Sequence, residues 1–210
     1  MQPQINLMNI LNFIKNNIFK SKLNLFLFII FFSILGLIFI FQFDYYPVLF
    51  INNNIIVAKK VNLNINAALN FYNAYKKIQE NQINNDIKLN NLSYNNVKVI
   101  VLNELIDRTL IHDELKKRLG DNLNNLVNDK INIFLDKEVE NAAFTIYNLN
   151  KKDFINEILI PQAEKDILIG RLFLENKNID DWLKDAKINS KIIILDKRFL
   201  WNGQEIILNK

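Results

Sequence analysis

The hydrophobic residues of this chain are concentrated in one segment near the N-terminus. Residues 23–43 contain no charged side chain, and the run LFLFIIFFSILGLIFIF from Leu25 to Phe41 is interrupted only by Ser33 and Gly36. About 20 helical residues rise roughly 30 Å, which matches the hydrocarbon core of a bilayer, and a helix satisfies its own backbone hydrogen bonds there. The pattern therefore predicts a transmembrane helix over residues 23–43.

The charges that flank this segment predict its orientation. Three lysines precede it, and no Asp or Glu occurs before Asp44. Because positively charged flanks stay on the cytoplasmic side, residues 1–22 are predicted to form a basic cytoplasmic arm and residues 45–210 an extracytoplasmic domain. Apolar positions at helical spacing within residues 1–19 suit either a short helix on the inner membrane surface or a disordered arm.

A cleaved signal peptide is the alternative interpretation of the apolar segment. The hydrophobic core of a signal peptide is shorter, about 7–15 residues, and it ends at small residues of the A-x-A kind. Here the sequence FDYYPVLFINNNIIV follows the segment, and the first alanine of the chain is Ala58. The chain has no cysteine, which excludes a lipoprotein cleavage site. These features favour an uncleaved anchor.

Short apolar runs near both ends of the outer domain predict strands. Residues 47–51 and 55–57 flank three asparagines at 52–54, and asparagine tolerates the left-handed backbone angles of a tight turn. Residues 191–195 are predicted to form a further strand. Asn202-Gly203 lies between two more apolar runs, which is the strongest short signal for a β-hairpin.

Apolar residues recur at helical spacing through the middle of the domain. Asn150 is expected to cap one helix, with Asp153 reaching back toward it, and Pro161 is expected to kink or restart that helix. Residues 81–95 are polar and rich in asparagine and are predicted to be a loop. The helices are predicted over residues 66–80, 96–119, 123–147, 150–174 and 180–186.

The composition excludes several classes of function. The chain has 26 Lys and Arg and 22 Asp and Glu; three lysines belong to the N-terminal arm, so the outer domain is almost neutral and lacks the basic surface of a nucleic-acid-binding protein. The absence of cysteine and the single histidine, His112, remove the usual zinc and iron–sulfur ligand sets. His112 is predicted to be an exposed surface residue. No enzyme signature is found, and no cofactor is expected.

Three segments of the outer domain resemble the N-terminal chaperone region of the SurA/PrsA-like foldases. The family's strand–turn–strand and following helix resemble LFINNNIIV (49–57) and NAALNFYNAY (66–75), with Asn54 in place of the turn glycine. The segment VLNELIDRTLIHDELKKRLG (101–120) resembles a second helix of this family. A third motif, in which an aspartate and a phenylalanine precede a proline, resembles YNLNKKDFINEILIP (147–161), and WLKDAKINSKIIIL (182–195) follows it.

The resemblance implies a mainly α fold, with an N-terminal transmembrane helix and a SurA-N-like helical domain in which short strands near 48–57 and 191–208 pair. It also implies a chaperone that binds unfolded or exported polypeptides, without cofactors, at the bacterial cytoplasmic (inner) membrane. The parvulin-type isomerase domain of full-length foldases is not matched, because only 34 residues follow Asn176. The expected activity is therefore binding without catalysis.

Aromatic and aliphatic residues between 144 and 160 are the candidates for a polypeptide-binding surface. Phe144, Tyr147, Phe154 and Ile158 are the named positions. For each of these residues a place in the core is the favoured alternative, because helical apolar stripes usually face inward. The alternative function is a structural or interaction protein, a single-pass subunit of an envelope or secretion complex that docks one partner.

Overall fold

The computed structural model describes residues 22–82, 93–133, 139, 141 and 143–209, and it divides between Tyr46 and Pro47 into two compact units. In the first unit, helix α1 (Lys22–Gln42) contains a stretch, Leu25–Gln42, that is long and apolar enough to cross a membrane. The Ser33 hydroxyl donates to the Ile29 carbonyl oxygen at 2.8 Å, which satisfies the one polar side chain in mid-helix. The helix expected within residues 1–19 lies outside the described residues.

The second unit opens with a three-stranded antiparallel sheet in the order β2–β1–β3, formed by β1 (Pro47–Ile51), β2 (Asn54–Val57) and β3 (Ile192–Ile194). The predicted hairpin across the asparagines and its pairing with a C-terminal strand are both confirmed. Asn52, with φ of 51°, takes the left-handed position, so the expectation that Asn54 would replace the turn glycine is wrong. Asn54 instead begins β2.

The C-terminal hairpin forms a separate two-stranded sheet. Strands β4 (Phe199–Trp201) and β5 (Ile206–Leu208) pair only with each other, so the predicted pairing across residues 191–208 holds for β3 alone. Asn202 Oδ1 accepts hydrogen bonds from the backbone amides of Gln204 and Glu205, at 2.9 Å each, which closes a four-residue connection. The Asn-Gly pair therefore marks the turn, although the loop is longer than two residues.

Two long helices follow the sheet. Helix α2 (Ala58–Gln82) begins eight residues before the predicted start at Asn66, because Ala58, Val61 and Ile65 continue its buried stripe toward the N-terminus. Helix α3 (Tyr94–Leu119) is capped by the Ser93 side chain and ends at Gly120, as its C-terminal signals predicted. The two helices extend into the predicted loop over 81–95 from both sides, and residues 83–92 of that prediction lie outside the described part of the chain.

The helix predicted over residues 123–147 is represented by α4 (Asn122–Asn132) and a π-helical turn at Ala143–Tyr147. The prediction also covers residues 134–138, 140 and 142, which lie outside the described part. Asn150 then caps α5 (Lys151–Phe154) by accepting from the Asp153 amide at 2.9 Å, which confirms that capping prediction.

A second π-helical turn (Ile155–Leu159) connects α5 to α6 (Ile160–Leu174). Pro161 lies in the first turn of α6, directly after the π-helical turn, so the helix changes type at the proline, as the predicted kink or restart anticipated. Helix α7 (Ile179–Ile188) has Asp180 and Asp181 in its first turn, where a helix N-terminus favours carboxylates.

Two buried clusters hold the helices together. The larger joins α3, α4, α6 and α7 through Ile111, Leu115, Leu123, Val127, Ile131, Ala163, Leu168, Leu172 and Leu183. The smaller joins α2 to the first π-helical turn and α5 through Ala67, Ala143, Leu149 and Phe154. The described domain is mainly helical with short antiparallel strands, as predicted from the sequence.

Candidate polypeptide-binding cleft

An open cleft of about 410 Å³ lies between α2, α3, the first π-helical turn and the start of α6, and we call it the aromatic cleft. Ala67, Ala68 and Phe71 line it from α2, while Tyr147 and Ile158 come from the two π-helical turns. The small alanines lie beside the core, and the aromatic side chains form the upper wall. The cleft is therefore built by helix packing, not by a loop.

Four aromatic rings form a continuous ladder, and its two middle rings, Phe71 and Tyr147, line this cleft. The ring centroids lie 6.3 Å apart for Tyr75 and Phe71, 5.3 Å for Phe71 and Tyr147, and 5.6 Å for Tyr147 and Phe154. The first two pairs are stacked and the last is tilted, and both arrangements are favourable for aromatic pairs. The exposed fraction is 46% for Tyr75 and 43% for Phe71 but only 8% for Phe154. The ladder thus runs from the core into solvent.

The floor of the aromatic cleft is polar, and Arg108 organises it. Arg108 Nη1 donates to Asn64 Oδ1 at 3.0 Å and to the Glu157 carbonyl oxygen at 2.6 Å, and its Nη2 contacts the Glu104 carboxylate. Buried Asn64 donates in turn to Glu157 Oε2 at 2.9 Å and to the Lys60 carbonyl oxygen at 2.9 Å. This network holds α2, α3 and the second π-helical turn (Ile155–Leu159) in fixed positions relative to one another.

Asp107, the second acidic residue of α3 that lines the aromatic cleft, also has a cationic partner. Lys187 Nζ of α7 lies 2.7 Å from Asp107 Oδ1. Burial raises the pKa of Asp107 above its usual value, and the adjacent Lys187 ammonium opposes this shift. Burial likewise raises the pKa of Tyr147, so its hydroxyl is neutral across the physiological range. The acids of the cleft are held by cations in structural pairs.

The four predicted binding residues occupy different environments. Tyr147 and Ile158 are half-buried and line the aromatic cleft, whereas Phe154 belongs to the core beneath it. Phe144 is largely exposed on the first π-helical turn and does not line this cleft. The structure therefore brings Tyr147, Phe154 and Ile158 together and leaves Phe144 apart.

Sequence reasoning missed the two outer rings of the ladder as candidate site residues. Phe71 and Tyr75 are four residues apart on α2, so they share one face and stack on each other. Their spacing predicts only a shared helical face, and in the structure these two rings extend beyond the core. An i, i+4 aromatic pair followed by a polar stretch is the signal that the sequence offered.

His112 has a buried partner that its local sequence does not reveal. Half of its side chain is exposed as predicted, but its Nδ1 lies 2.8 Å from Oε1 of buried Glu164, on α6. The Glu164 hydrogen bond raises the pKa of His112, with burial opposing the shift. Glu164 is 52 residues away in the sequence. Within the described ranges, no group of three or more His, Cys, Asp or Glu side chains could hold a metal ion.

A second apolar feature lies at the other end of the helical bundle. Leu126 and Ile133, in and just after α4, and Ile167 and Leu174, in α6, line a shallow groove, which we call the α4–α6 groove. Ile133, Leu174 and the neighbouring Phe173 are largely exposed. This groove contains none of the four predicted binding residues.

In comparisons with known proteins, the chain matches no family model, no curated protein and no solved structure. What the aromatic cleft binds is therefore inferred from its own residues.

Proposed function

We propose that this chain is a membrane-tethered chaperone-like protein that binds unfolded or exported polypeptide segments in the aromatic cleft, without catalysis. The observation that carries the proposal is the ladder from Tyr75 to Phe154, because its outer two rings present large apolar surfaces to solvent while its inner ring is fixed in the core. Rings held in this way lose little conformational entropy on binding. They form a platform for apolar side chains of an incoming segment.

The polar floor of the aromatic cleft also suits polypeptide binding. An extended polypeptide carries unpaired backbone amide and carbonyl groups as well as side chains. Glu104 is half-exposed beside Arg108, so the cleft offers acceptors close to an apolar wall. Such a surface accepts many sequences, as a SurA-like chaperone would require.

The tether is α1. Its apolar length and the lysines at 15, 20 and 22 support a single-pass arrangement with the domain on the extracytoplasmic side of a bacterial inner membrane. Tethering raises the effective concentration of the cleft near chains that emerge from the membrane, so weak binding to each segment is sufficient.

Light scattering from an aggregating client tests the proposal. The full chain, reconstituted in lipid nanodiscs, is mixed at increasing ratios with a reduced globular protein that aggregates. We expect suppression near stoichiometric ratios, and loss of suppression in a variant with Phe71→Ser and Tyr75→Ser. The control is Phe173→Ser with Leu174→Ser, which removes two apolar residues from α6 that are more exposed than Phe71 and Tyr75. Equal suppression by both variants, or none by the wild-type chain, would overturn the role of the cleft.

The alternative, a single-pass docking subunit of a larger complex, is favoured by the α4–α6 groove. Ile133, Phe173 and Leu174 project far into solvent on one side of the bundle, as expected for a surface that one partner covers. The same pair of variants separates the two functions. A docking subunit would lose co-purification of one specific protein with the Phe173/Leu174 variant and would show no general suppression of aggregation.

A further inference from the structure

The outer face of the three-stranded sheet carries a row of large apolar side chains. Phe50 of the central strand is directly opposite Ile55 on one side and Ile193 on the other, and we call these three residues the outer row. The exposed fraction is 60% for Ile55 and 43% for Ile193, and Phe50 is half-buried between them.

This face is unusual for a sheet that already has a core on its other side. Leu49, Ile51 and Ile56 alternate with the outer row and are buried, so they form the inner face. The outer face of such an antiparallel sheet is normally polar. Leu195 extends the apolar surface, because its amide continues the ladder to the Val48 carbonyl oxygen at 3.0 Å and its side chain is also exposed. Both faces of the sheet are therefore apolar.

The position of the outer row along the chain places it only a short tether away from α1. Phe50 is eight residues beyond Gln42, the last residue of α1, and an extended chain spans at most about 3.5 Å per residue. Phe50 is thus within about 28 Å of the end of the apolar helix, whatever path the connection takes. Tyr45 and Tyr46, in that connection, are of the residue type that prefers the headgroup region.

The charges around β3 favour an anionic lipid surface over an apolar protein partner. Lys191 and Lys197 flank this strand and are exposed. Asp196 lies between them in sequence, but it is already paired with Lys98 at 3.0 Å and with Arg198 at 2.6 Å. The segment that contains β3 and its two flanking lysines therefore has a net positive charge, which anionic headgroups attract.

The size of the outer row fits a tethered lipid contact better than a dimer. A stable protein interface buries about 800 Å² on each partner, far more than three partly exposed side chains provide. A surface held beside the bilayer by a covalent tether needs only a small apolar area to remain in contact.

We propose that the outer row of Phe50, Ile55 and Ile193 lies in the interfacial region of the bilayer that α1 spans, with Lys191 and Lys197 toward anionic headgroups. The inference rests on the proposed membrane-spanning role of α1 and is independent of client binding. It assigns a second membrane contact to the folded domain. The contact would keep the domain close to the membrane surface instead of leaving it free on its tether.

Single-cysteine labelling tests this directly, because the chain contains no cysteine. The full chain is reconstituted in vesicles of phosphatidylcholine and phosphatidylglycerol, with an environment-sensitive fluorophore attached at Ile55→Cys or Ile193→Cys. Matched controls carry the label at Phe144→Cys and Phe173→Cys, two exposed positions on other elements. A label at Phe39→Cys, in α1, reports on the tether itself.

We expect lipids that carry a quencher near the headgroup to quench the labels at 55 and 193 at least twofold more than those at 144 and 173. Replacing phosphatidylglycerol with phosphatidylcholine should weaken this quenching. Equal quenching at all four positions would overturn the outer-row proposal. Fluorescence shifts at positions 55 and 193 without lipid quenching would also overturn it. If these shifts are lost when the protein is diluted in the vesicles, the outer row contacts a second copy of the chain. If they are seen only with added client, the outer row binds client.

The α1 label separates this failure from failure of the tether. If lipids that carry a quencher deep in the bilayer fail to quench the label at position 39, both the membrane anchor and the outer-row contact are overturned. Quenching at position 39 without preferential quenching at 55 and 193 would leave the anchor intact and overturn only the outer-row proposal.

Discussion

Asn103 and Ile206, on α3 and β5, form a reciprocal pair of hydrogen bonds although they are 103 residues apart in the sequence. Asn103 Nδ2 donates to the Ile206 carbonyl oxygen at 3.1 Å, and the Ile206 amide donates to Asn103 Oδ1 at 2.7 Å. The side-chain amide therefore acts as a substitute strand for the hairpin. It attaches the C-terminal sheet to α3.

Replacing Asn103 with alanine should destabilise the domain by about 2 kcal/mol, because the buried residue Ile206 would keep an unpaired N–H and C=O. Urea unfolding followed by circular dichroism measures the change in the free energy of unfolding. Asn125→Ala, at an exposed position on α4, is the matched control and should change that free energy by less than about 0.5 kcal/mol. Equal effects from the two variants would show that the pair does not hold the hairpin.

The two ends of the aromatic ladder should respond differently to truncation. Phe154→Ala leaves a cavity in the smaller core and should cost about 3 kcal/mol of unfolding free energy, whereas Phe71→Ala removes a half-exposed ring and should cost about 1 kcal/mol or less. Thermal and urea unfolding of the two variants provide the comparison. If Phe71→Ala were the more costly change, the outer rings would be part of the core and not of a binding surface.

Arg108 should be necessary for the shape of the aromatic cleft. Arg108→Ala leaves Asn64 and the Glu157 carbonyl oxygen without their donor, and we expect a loss of about 2–3 kcal/mol in unfolding free energy. Arg108→Lys keeps the charge but not the planar fork that reaches both acceptors, so it should recover only part of that loss. Full recovery by lysine would mean that charge alone, and not the geometry of the guanidinium, holds the two elements.

The His112–Glu164 pair predicts a pH dependence of stability. The Glu164 hydrogen bond raises the pKa of His112 in the folded protein above its ordinary value of about 6.5. The protonated form is therefore favoured by folding, and its contribution is fully present below the unfolded-state pKa and is lost as pH rises through the folded-state pKa. Because His112 is about half-exposed, the effect should be below about 1 kcal/mol.

The free energy of unfolding, measured from a pH below the pKa of His112 to a pH above it, tests whether the His112–Glu164 pair contributes to stability. Wild-type stability should fall by this small amount as pH rises, and His112→Gln should remove that step. Identical pH profiles for the two proteins would exclude a contribution from the pair.

The features predicted correctly from the sequence are those set by local chemistry. The asparagine-rich turn, the Asn150 cap, the Gly120 helix end and the restart at Pro161 each follow from the backbone preferences of one or two residues. The apolar segment near the N-terminus was equally evident, because its composition alone determines its length as a helix.

The errors occurred where distant residues decide the structure. The start of α2 at Ala58 depends on burial of Val61 and Ile65, which an asparagine- and lysine-rich sequence hides. Whether Asn52 or Asn54 takes positive φ depends on β3: the Asn52 amide donates to the Lys191 carbonyl oxygen at 2.8 Å, and the Lys191 amide donates to Asn52 Oδ1 at 2.9 Å. Local propensity cannot distinguish the two asparagines.

The candidate site was found only in part for the same reason. The sequence shows aromatic and aliphatic side chains concentrated between residues 144 and 160, but periodicity cannot show which of them face a cleft. Phe71 joins Tyr147 across 76 positions of sequence through the packing of α2 on the first π-helical turn. That contact, which creates the ladder, has no signature in either segment alone.

Photo-crosslinking at the outer ring of the ladder tests the central claim most directly. A benzophenone amino acid replaces Phe71 in the full chain, reconstituted in nanodiscs, and an identical residue replaces Phe173 in the control. Each protein is irradiated with a reduced and alkylated globular protein that stays unfolded. The account predicts crosslinks to the unfolded client from position 71, competed by unlabelled client, with at least fivefold fewer from position 173. Equal crosslinking from both positions, or none from position 71, would contradict polypeptide binding in the aromatic cleft.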